Sequence, residues 1–408
     1  MTARLLPAAA LGALAAAAAA AAGAPPPTAD EPVVAVRAGS VFTGREVLSP
    51  GVVVLEKGKV VSVSKEPPAG LRGRVLDLPA GWVTPGWVDA ASTAGIAVAR
   101  DEYTREVTPA LRPLRAFDPA AREVRRGLAS GVTALFLGPG NANVVGGIAS
   151  VVKTAPGADG GARVVKADAA LKIAFGYDPS SGNYPARGIP SSIYARRPTT
   201  RMGVLAVLRD AWLLGRLAGE DAADPDRAVV ARAAAGALPV RAHARHAEDL
   251  RTVLRLREEM GIRPVIEGVT EGWRVAESLA RSGIGCVVGP LSWPESGRGP
   301  EGTDPALDNA GILHRAGVPL ALTAGGDPAG LRDQAALAVR YGLPRDSALR
   351  AVTLAAAEQS GAADRIGSLA PGRDADLVLF DGDPLEPSSR VRWVLVDGEV
   401  VFDAGRPE

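Results

Sequence analysis

Three histidines occur in the chain, His243, His246 and His314. Their neighbours decide which could do chemistry. His243 closes the apolar run "LPVRAHA", and carboxylates lie at the ends of comparable runs: Asp89 in "GWVDAAST", Glu267 in "VIEGVTEG" and Asp327 in "LALTAGGDP". One imidazole with carboxylates is a donor set for a single divalent metal, zinc or manganese, or for general acid/base chemistry without one. Asp89 also has a plainer reading, because an aspartate just past Pro-Gly-Trp-Val suits a turn whose backbone N–H groups it accepts. His246 falls between a strand and a helix starting near Glu248, which favours a loop role. His314 lies in the helical pattern "DNAGILHRAG" and reads as a solvated helical histidine.

Nucleophilic alternatives have little support. Ser92 and Ser292 lack a Gly-x-Ser-x-Gly elbow and an obvious histidine partner. Cys286, the single cysteine, sits in "GIGCVVGP", a run typical of a buried strand, so neither a disulfide framework nor a cysteine-rich zinc site exists. The glycine-rich "GPGNANVVGG" has neither the phosphate-loop lysine nor dinucleotide spacing and reads as a loop.

The elements that must position these groups are legible in outline. A chain of 408 residues, 47% hydrophobic and 22% charged, has room for one large and one small domain. A net charge of +1 gives no general attraction to nucleic acid or anionic lipid. The start, "MTARLLPAAALGALAAAAAAAAGAPPP", has the layout of an export signal over residues 1–24, cleaved near Ala22 to Ala24. The expected product is an exported protein, periplasmic or secreted, with no membrane span after cleavage and a fold beginning near Pro32.

Both ends are strand-like. Lys57-Gly58 and Asp397-Gly398 each separate two β-branched runs and predict hairpins. Residues 33–83 and 368–408 are therefore expected to form one small β-sandwich domain from both termini. Between them, apolar runs such as "GVTALFLGP", "LPVRAHA" and "VPLALTAGG" alternate with amphipathic patterns such as "AEDLRTVLRLREEMG". Continuous apolar strands between amphipathic helices predict an α/β fold with a parallel sheet, a (β/α)8 TIM barrel over residues 84–367. Function is then expected at the C-terminal ends of its strands.

Several stretches together resemble the amidohydrolase superfamily, specifically its exported imidazolonepropionase-like branch: "LPAGWVTPGWVDA", "GPGNANVVGGIASVVKT", "TRMGVLAVLRDAW" and the long segment "YGLPRDSALRAVTLAAAEQSGAADRIGSLAPGRDADLVLFDGDP". The resemblance implies a barrel holding one or two divalent metals that activate water against an amide-type C–N bond, lowering its pKa to about 7. It also implies where the ligands fall. The His-x-His of the first strand lands on Ala91 and Thr93, the fifth-strand histidine on His243, and the sixth-strand histidine on Gly268. The eighth-strand aspartate lands near Gly325, with Asp327 displaced toward the loop, and the bridging lysine on Lys172.

The expected remnants of catalysis are thus His243, Asp327 and Lys172, with Asp89, Ala91, Thr93, Gly268, Gly325, Tyr184 and Arg197 lining the pocket and no resident metal. Glu267 alternates with Gly268 and is expected to face the helices if position 268 faces the interior. Residues 177–201, rich in Gly, Pro, Ser and Arg, are long for a connection and suit a pocket wall carrying Tyr184, Tyr194, Arg196 and Arg197. Two functional readings stand: hydrolysis of non-peptide or dipeptide-type C–N bonds, weak or lost, or an exported pseudoenzyme that binds a small molecule or scaffolds. By analogy with related barrels, pairing with a second copy is expected.

Overall fold

The computed structural model describes residues 32–97, 100–181, 183, 196–292 and 303–406. The export signal expected over residues 1–24 lies outside them.

The chain enters through β1 (Val33–Phe42), β2 (Val47–Leu48), β3 (Gly51–Glu56), β4 (Lys59–Ser64) and β5 (Arg74–Pro85). Lys57-Gly58 joins β3 to β4 with both φ angles positive, 50° and 75°. That backbone matches the right-handed twist of the flanking strands, which is why a glycine stands there. The core segment follows with β6 (Trp87–Ser92), α1 (Arg122–Ala129), β7 (Val132–Leu137), β8 (Val145–Lys153), β9 (Val164–Ala174), α2 (Arg201–Ala218), α3 (Pro225–Ala234) and β10 (Val240–Ala244). It continues through α4 (Ala247–Met260), β11 (Val265–Gly268), α5 (Ala276–Ser282), β12 (Cys286–Val288), α6 (Asn309–Arg315) and β13 (Leu320–Leu322). Three short helices, α7 (Leu331–Arg340), α8 (Arg345–Ala351) and α9 (Leu354–Gln359), lead to β14 (Leu377–Phe380), β15 (Val391–Val396) and β16 (Glu399–Asp403). Asp397-Gly398 forms the last hairpin, again with both φ angles positive.

Two eight-stranded sheets result. The first runs β16-β15-β14-β5-β1-β3-β4, with β2 on β1, and so combines both ends of the chain in one sheet. The second runs β13-β12-β11-β10-β9-β8-β7-β6. Its edges approach each other at the strand ends, where Thr323 Oγ1 lies 2.6 Å from Asp89 Oδ1 and 2.7 Å from the Ala91 carbonyl. The helices pack on its outer face through one large apolar cluster, and small side chains such as Ala90, Ala134, Ala149 and Ala321 fill its inner face.

The second sheet departs from the expected regular alternation at one strand. β8 is antiparallel to both neighbours, and no helix separates β7, β8 and β9. Two successive antiparallel pairs need only turns, whereas a parallel pair needs a crossover. Register then aligns the chemistry. Lys172 on β9 pairs with Arg241 on β10, and His243 pairs with Glu267 on β11. Laterally paired residues share a face, so all four turn to the interior. The expectation that Glu267 faces the helices is therefore corrected.

Candidate functional site

A cavity of about 390 Å³ opens at the C-terminal ends of the second sheet's strands. Lys172, His243 and Glu267 form its floor and are 5%, 6% and 4% exposed. Lys172 Nζ lies 2.5 Å from Glu267 Oε1 and donates to the Pro139 carbonyl at 3.1 Å. His243 is held between two carboxylates, with Nε2 2.7 Å from Asp178 Oδ2 and Nδ1 3.7 Å from Glu267 Oε1. Arg245 donates to the other Asp178 oxygen at 3.1 Å.

These groups alternate in sign, and each carboxylate and imidazole shifts under its neighbours. Burial opposes the charge on Glu267, but Lys172, His243 and Arg241 outweigh it and hold its pKa well below the usual carboxylate range. Burial likewise opposes charge on His243, yet Asp178 and Glu267 raise its pKa above the ordinary value. Asp178 is kept low against its own burial by His243, Arg245 and Lys172. The Nε2 of His243 is engaged by Asp178, while its Nδ1 faces Glu267 beyond hydrogen-bond length, so the better-placed nitrogen already has a partner. Beneath this layer Arg241 is wholly buried, its guanidinium 3.8 Å from the centre of the Phe136 ring, donating to the Ala90 and Gln359 carbonyls. Burial lowers its pKa to about 10, and Glu267 counters part of the effect.

Asp89, expected to line the pocket, is instead wholly buried at the seam between β6 and β13, behind the cavity-lining Thr323. Burial raises its pKa to about 6 although Thr323, Ala91 and Ala324 hydrogen-bond to it. Thr323 has one hydroxyl hydrogen for two acceptors, Asp89 Oδ1 and the Ala91 carbonyl. A proton on Asp89 satisfies both contacts. Asp89 Oδ2 is buried without a hydrogen-bond partner, which costs less for a neutral carboxyl than for an ion.

The residues do not fit the divalent metal that the resemblance implies. Ala91 has no ligand atom, Thr93 offers a neutral hydroxyl, and the ligand atoms of Glu267 and His243 face Lys172 and Asp178. The two glycines are not open slots for lost ligands either. Gly268 has φ +92°, and a Cβ there would lie 3.1 Å from Arg245 Cγ and 3.2 Å from His243 Cε1. Gly325 has φ +74°, and a Cβ there would meet Pro290 Cδ at 2.4 Å. Side chains at these positions require a different backbone. Outside the cavity, ligand atoms of His246, Glu248 and Glu271 lie within 4.8 Å of one another. Glu271 already accepts the Ala247 and Asp304 N–H groups and so staples this loop, and His246 lies between β10 and α4, the loop place expected for it.

Other expected positions fall on both sides of the outcome. Ala91, Thr93, Gly268 and Gly325 line the cavity with Lys172 and His243. Asp327 does not: it pairs with Arg126 at 2.9 Å and accepts the Ala329 N–H, so it caps a turn at the surface. Arg197 is also displaced from the cavity, 82% exposed and facing Glu106. Arg196 instead donates to the Ala142 carbonyl and to Asn143. Tyr184 and Tyr194 lie outside the described residues. Cys286 is buried as expected, its thiol pushed up to about 12 by burial. His314 is half-buried, 3.5 Å from Ser347 Oγ. Sequence reasoning missed Asp178, Arg241 and Arg245. The available signal was place: Asp178 and Arg245 follow β9 and β10, where barrel sites collect their residues.

Comparison with known proteins agrees with the fold. The profile of the amidohydrolase family matches residues 316–402. The solved amidohydrolase of Thermotoga maritima MSB8 is 32% identical and superposes with a TM-score of 0.81, over 91% of this chain and 100% of that one. Amidohydrolase tasK of Hapsidospora irregularis is 25% identical over 406 residues, 86% of this chain and 40% of the relative. The chain thus spans less than half the length of that relative. Adenine deaminase 2 of Rhizobium meliloti (strain 1021) is 45% identical over 76 residues, 19% of this chain and 12% of the relative.

Proposed function

Because the chain belongs to the amidohydrolase superfamily, we propose that its cavity binds a small molecule through a buried ion-pair network, and that metal-dependent hydrolysis of C–N bonds is weak or lost. We read the second sheet as the family's barrel and the composite sheet as its terminal β-domain. The observation that carries the functional reading is the Lys172–Glu267 contact at 2.5 Å. Lys172 stands beside the carboxylate, and the His243 ring is held by Asp178 at Nε2 with Glu267 facing its Nδ1. An ammonium has three donors. Among the described residues, Lys172 has two acceptors, Glu267 and the Pro139 carbonyl. The remaining N–H suits a carbonyl or carboxylate oxygen of a ligand.

A second reading, residual hydrolysis without metal, draws on Asp89, which is hydrogen-bonded at 2.6 Å to the cavity-lining Thr323 and whose pKa of about 6 suits proton transfer near neutrality. One experiment separates the readings. The purified protein, grown with zinc and manganese, is analysed for metal and then titrated with dipeptides and cyclic amides while thermal stability and turnover are followed. The binding reading expects substoichiometric metal, no turnover, and a ligand that raises Tm in the natural protein but not in Lys172→Met. Stoichiometric metal that disappears in His243→Ala overturns it. Turnover in metal-free protein, abolished in Asp89→Asn, supports the second reading.

A further inference from the structure

The outer face of α2 carries a pattern that neither the cavity nor the core uses. Val204, Leu208, Trp212 and Gly215 are its buried positions. On the opposite side Met202, Leu213 and Leu217 are 78%, 57% and 76% exposed. With 3.6 residues per turn, Met202, Ala206, Leu213 and Leu217 fall on one stripe, flanked at mid-helix by Arg209 and Asp210. Solvated helices seldom keep so many large apolar groups on the face away from their core.

The stripe is self-complementary. About the midpoint between Arg209 and Asp210, Met202 is symmetric with Leu217, Ala206 with Leu213, and Arg209 with Asp210. Two such helices placed antiparallel across a two-fold axis bring each residue against its symmetric counterpart, as an isologous contact requires. Charge agrees with this arrangement. Arg209 is fixed by Glu259, which takes its Nε and Nη2 hydrogens at 2.6 and 2.9 Å. Its Nη1 has no acceptor among the described residues, and Asp210 has no ion pair among them. A recess of about 590 Å³ adjoins the stripe, lined in part by Pro198, Val207, Ala211 and Leu214. It offers apolar surface beyond the helix itself, which spans only about 27 Å.

We propose that a second copy of this chain docks on α2, antiparallel and two-fold symmetric, with Leu213 and Leu217 as its apolar anchors and two Arg209–Asp210 pairs at its centre. Sedimentation velocity on the purified chain tests it. The natural protein is expected to be a dimer at micromolar concentration. Leu213→Glu with Leu217→Glu is expected to weaken the dimer about a hundredfold or more, because four apolar anchors are lost per dimer. Asp210→Arg, which sets like charges opposite each other, is expected to weaken it roughly threefold to tenfold, more at low salt than at high. An unchanged circular dichroism spectrum and a cooperative unfolding transition of the monomeric variant show that the fold is kept. A monomeric natural protein overturns the proposal, and so does a dimer that survives both variants. A monomer whose stripe instead binds anionic phospholipid vesicles also overturns it.

Discussion

Two buried lysines, Lys153 and Lys172, stand at opposite ends of the second sheet's chemistry. Lys153, at the end of β8, meets Asp374, Asp376 and Asp397 at 2.9, 2.9 and 2.6 Å. All three ammonium donors have carboxylate acceptors, and burial, which opposes the charge, is outweighed so that its pKa rises. Arg163 extends the cluster to Asp397 and Glu399, and Lys59 and Arg365 reach Asp374. The result ties the two sheets together. Lys172 has one carboxylate and one carbonyl, and it opens on a cavity. A buried charge whose donors are all used makes a clamp, whereas one with a donor left over makes a binding group.

The largest effect is expected at the clamp. Lys153→Met leaves Asp374, Asp376 and Asp397 without their shared cation and is expected to cost about 3–5 kcal/mol in denaturant unfolding. A cost below that of Lys172→Met breaks the comparison.

Two carboxylates, Asp89 near the cavity and Asp374 in the clamp, should contribute to pH dependence with opposite signs. Asp89 has a pKa of about 6 in the fold, above its ordinary value near 4. Its contribution is therefore complete below about pH 4 and lost as pH rises through 6, an effect of about 3 kcal/mol. Asp374 has a lowered pKa because Lys59, Lys153 and Arg365 outweigh its burial. Its contribution is present above pH 4 and lost as pH falls. Unfolding free energies of the natural protein and Asp89→Asn, measured from pH 4 to 7, should diverge as the natural protein loses the Asp89 contribution. Parallel curves would remove the buried, protonated Asp89.

The smallest effect is expected at the cavity floor. Lys172→Met should cost about 1–3 kcal/mol, because His243 remains beside Glu267 and the cavity admits water. It should also abolish the Tm increase produced by any cavity ligand. Ligand binding retained at full strength would show that Lys172 does not touch the ligand.

Much of the frame was legible in the sequence. The Lys-Gly and Asp-Gly hairpins, the buried strand around Cys286, and the places of Lys172 and His243 at strand ends follow from local pattern and turn chemistry. Asp327 was misplaced because closeness in sequence to the eighth strand says nothing of where a loop carboxylate turns; Arg126, far away in the chain, claims it. Glu267 was misread because alternation along one strand gives relative facing only, and its absolute sense came from register with β10.

The sequence by itself determined that Ala91, Gly268 and Gly325 offer no metal-ligating side chain and Thr93 only a hydroxyl, because side-chain chemistry is a property of each residue. Only the tertiary structure decided what stands in their place. Lys172, Glu267, His243 and Asp178 lie on different segments, and their protonation depends on distances of a few ångströms and on exclusion of water. The same holds for Lys153 and its three aspartates, separated by more than two hundred residues and joined by the packing of one sheet on the other. Local pattern sets which strands and turns form, and long-range packing sets which charges meet.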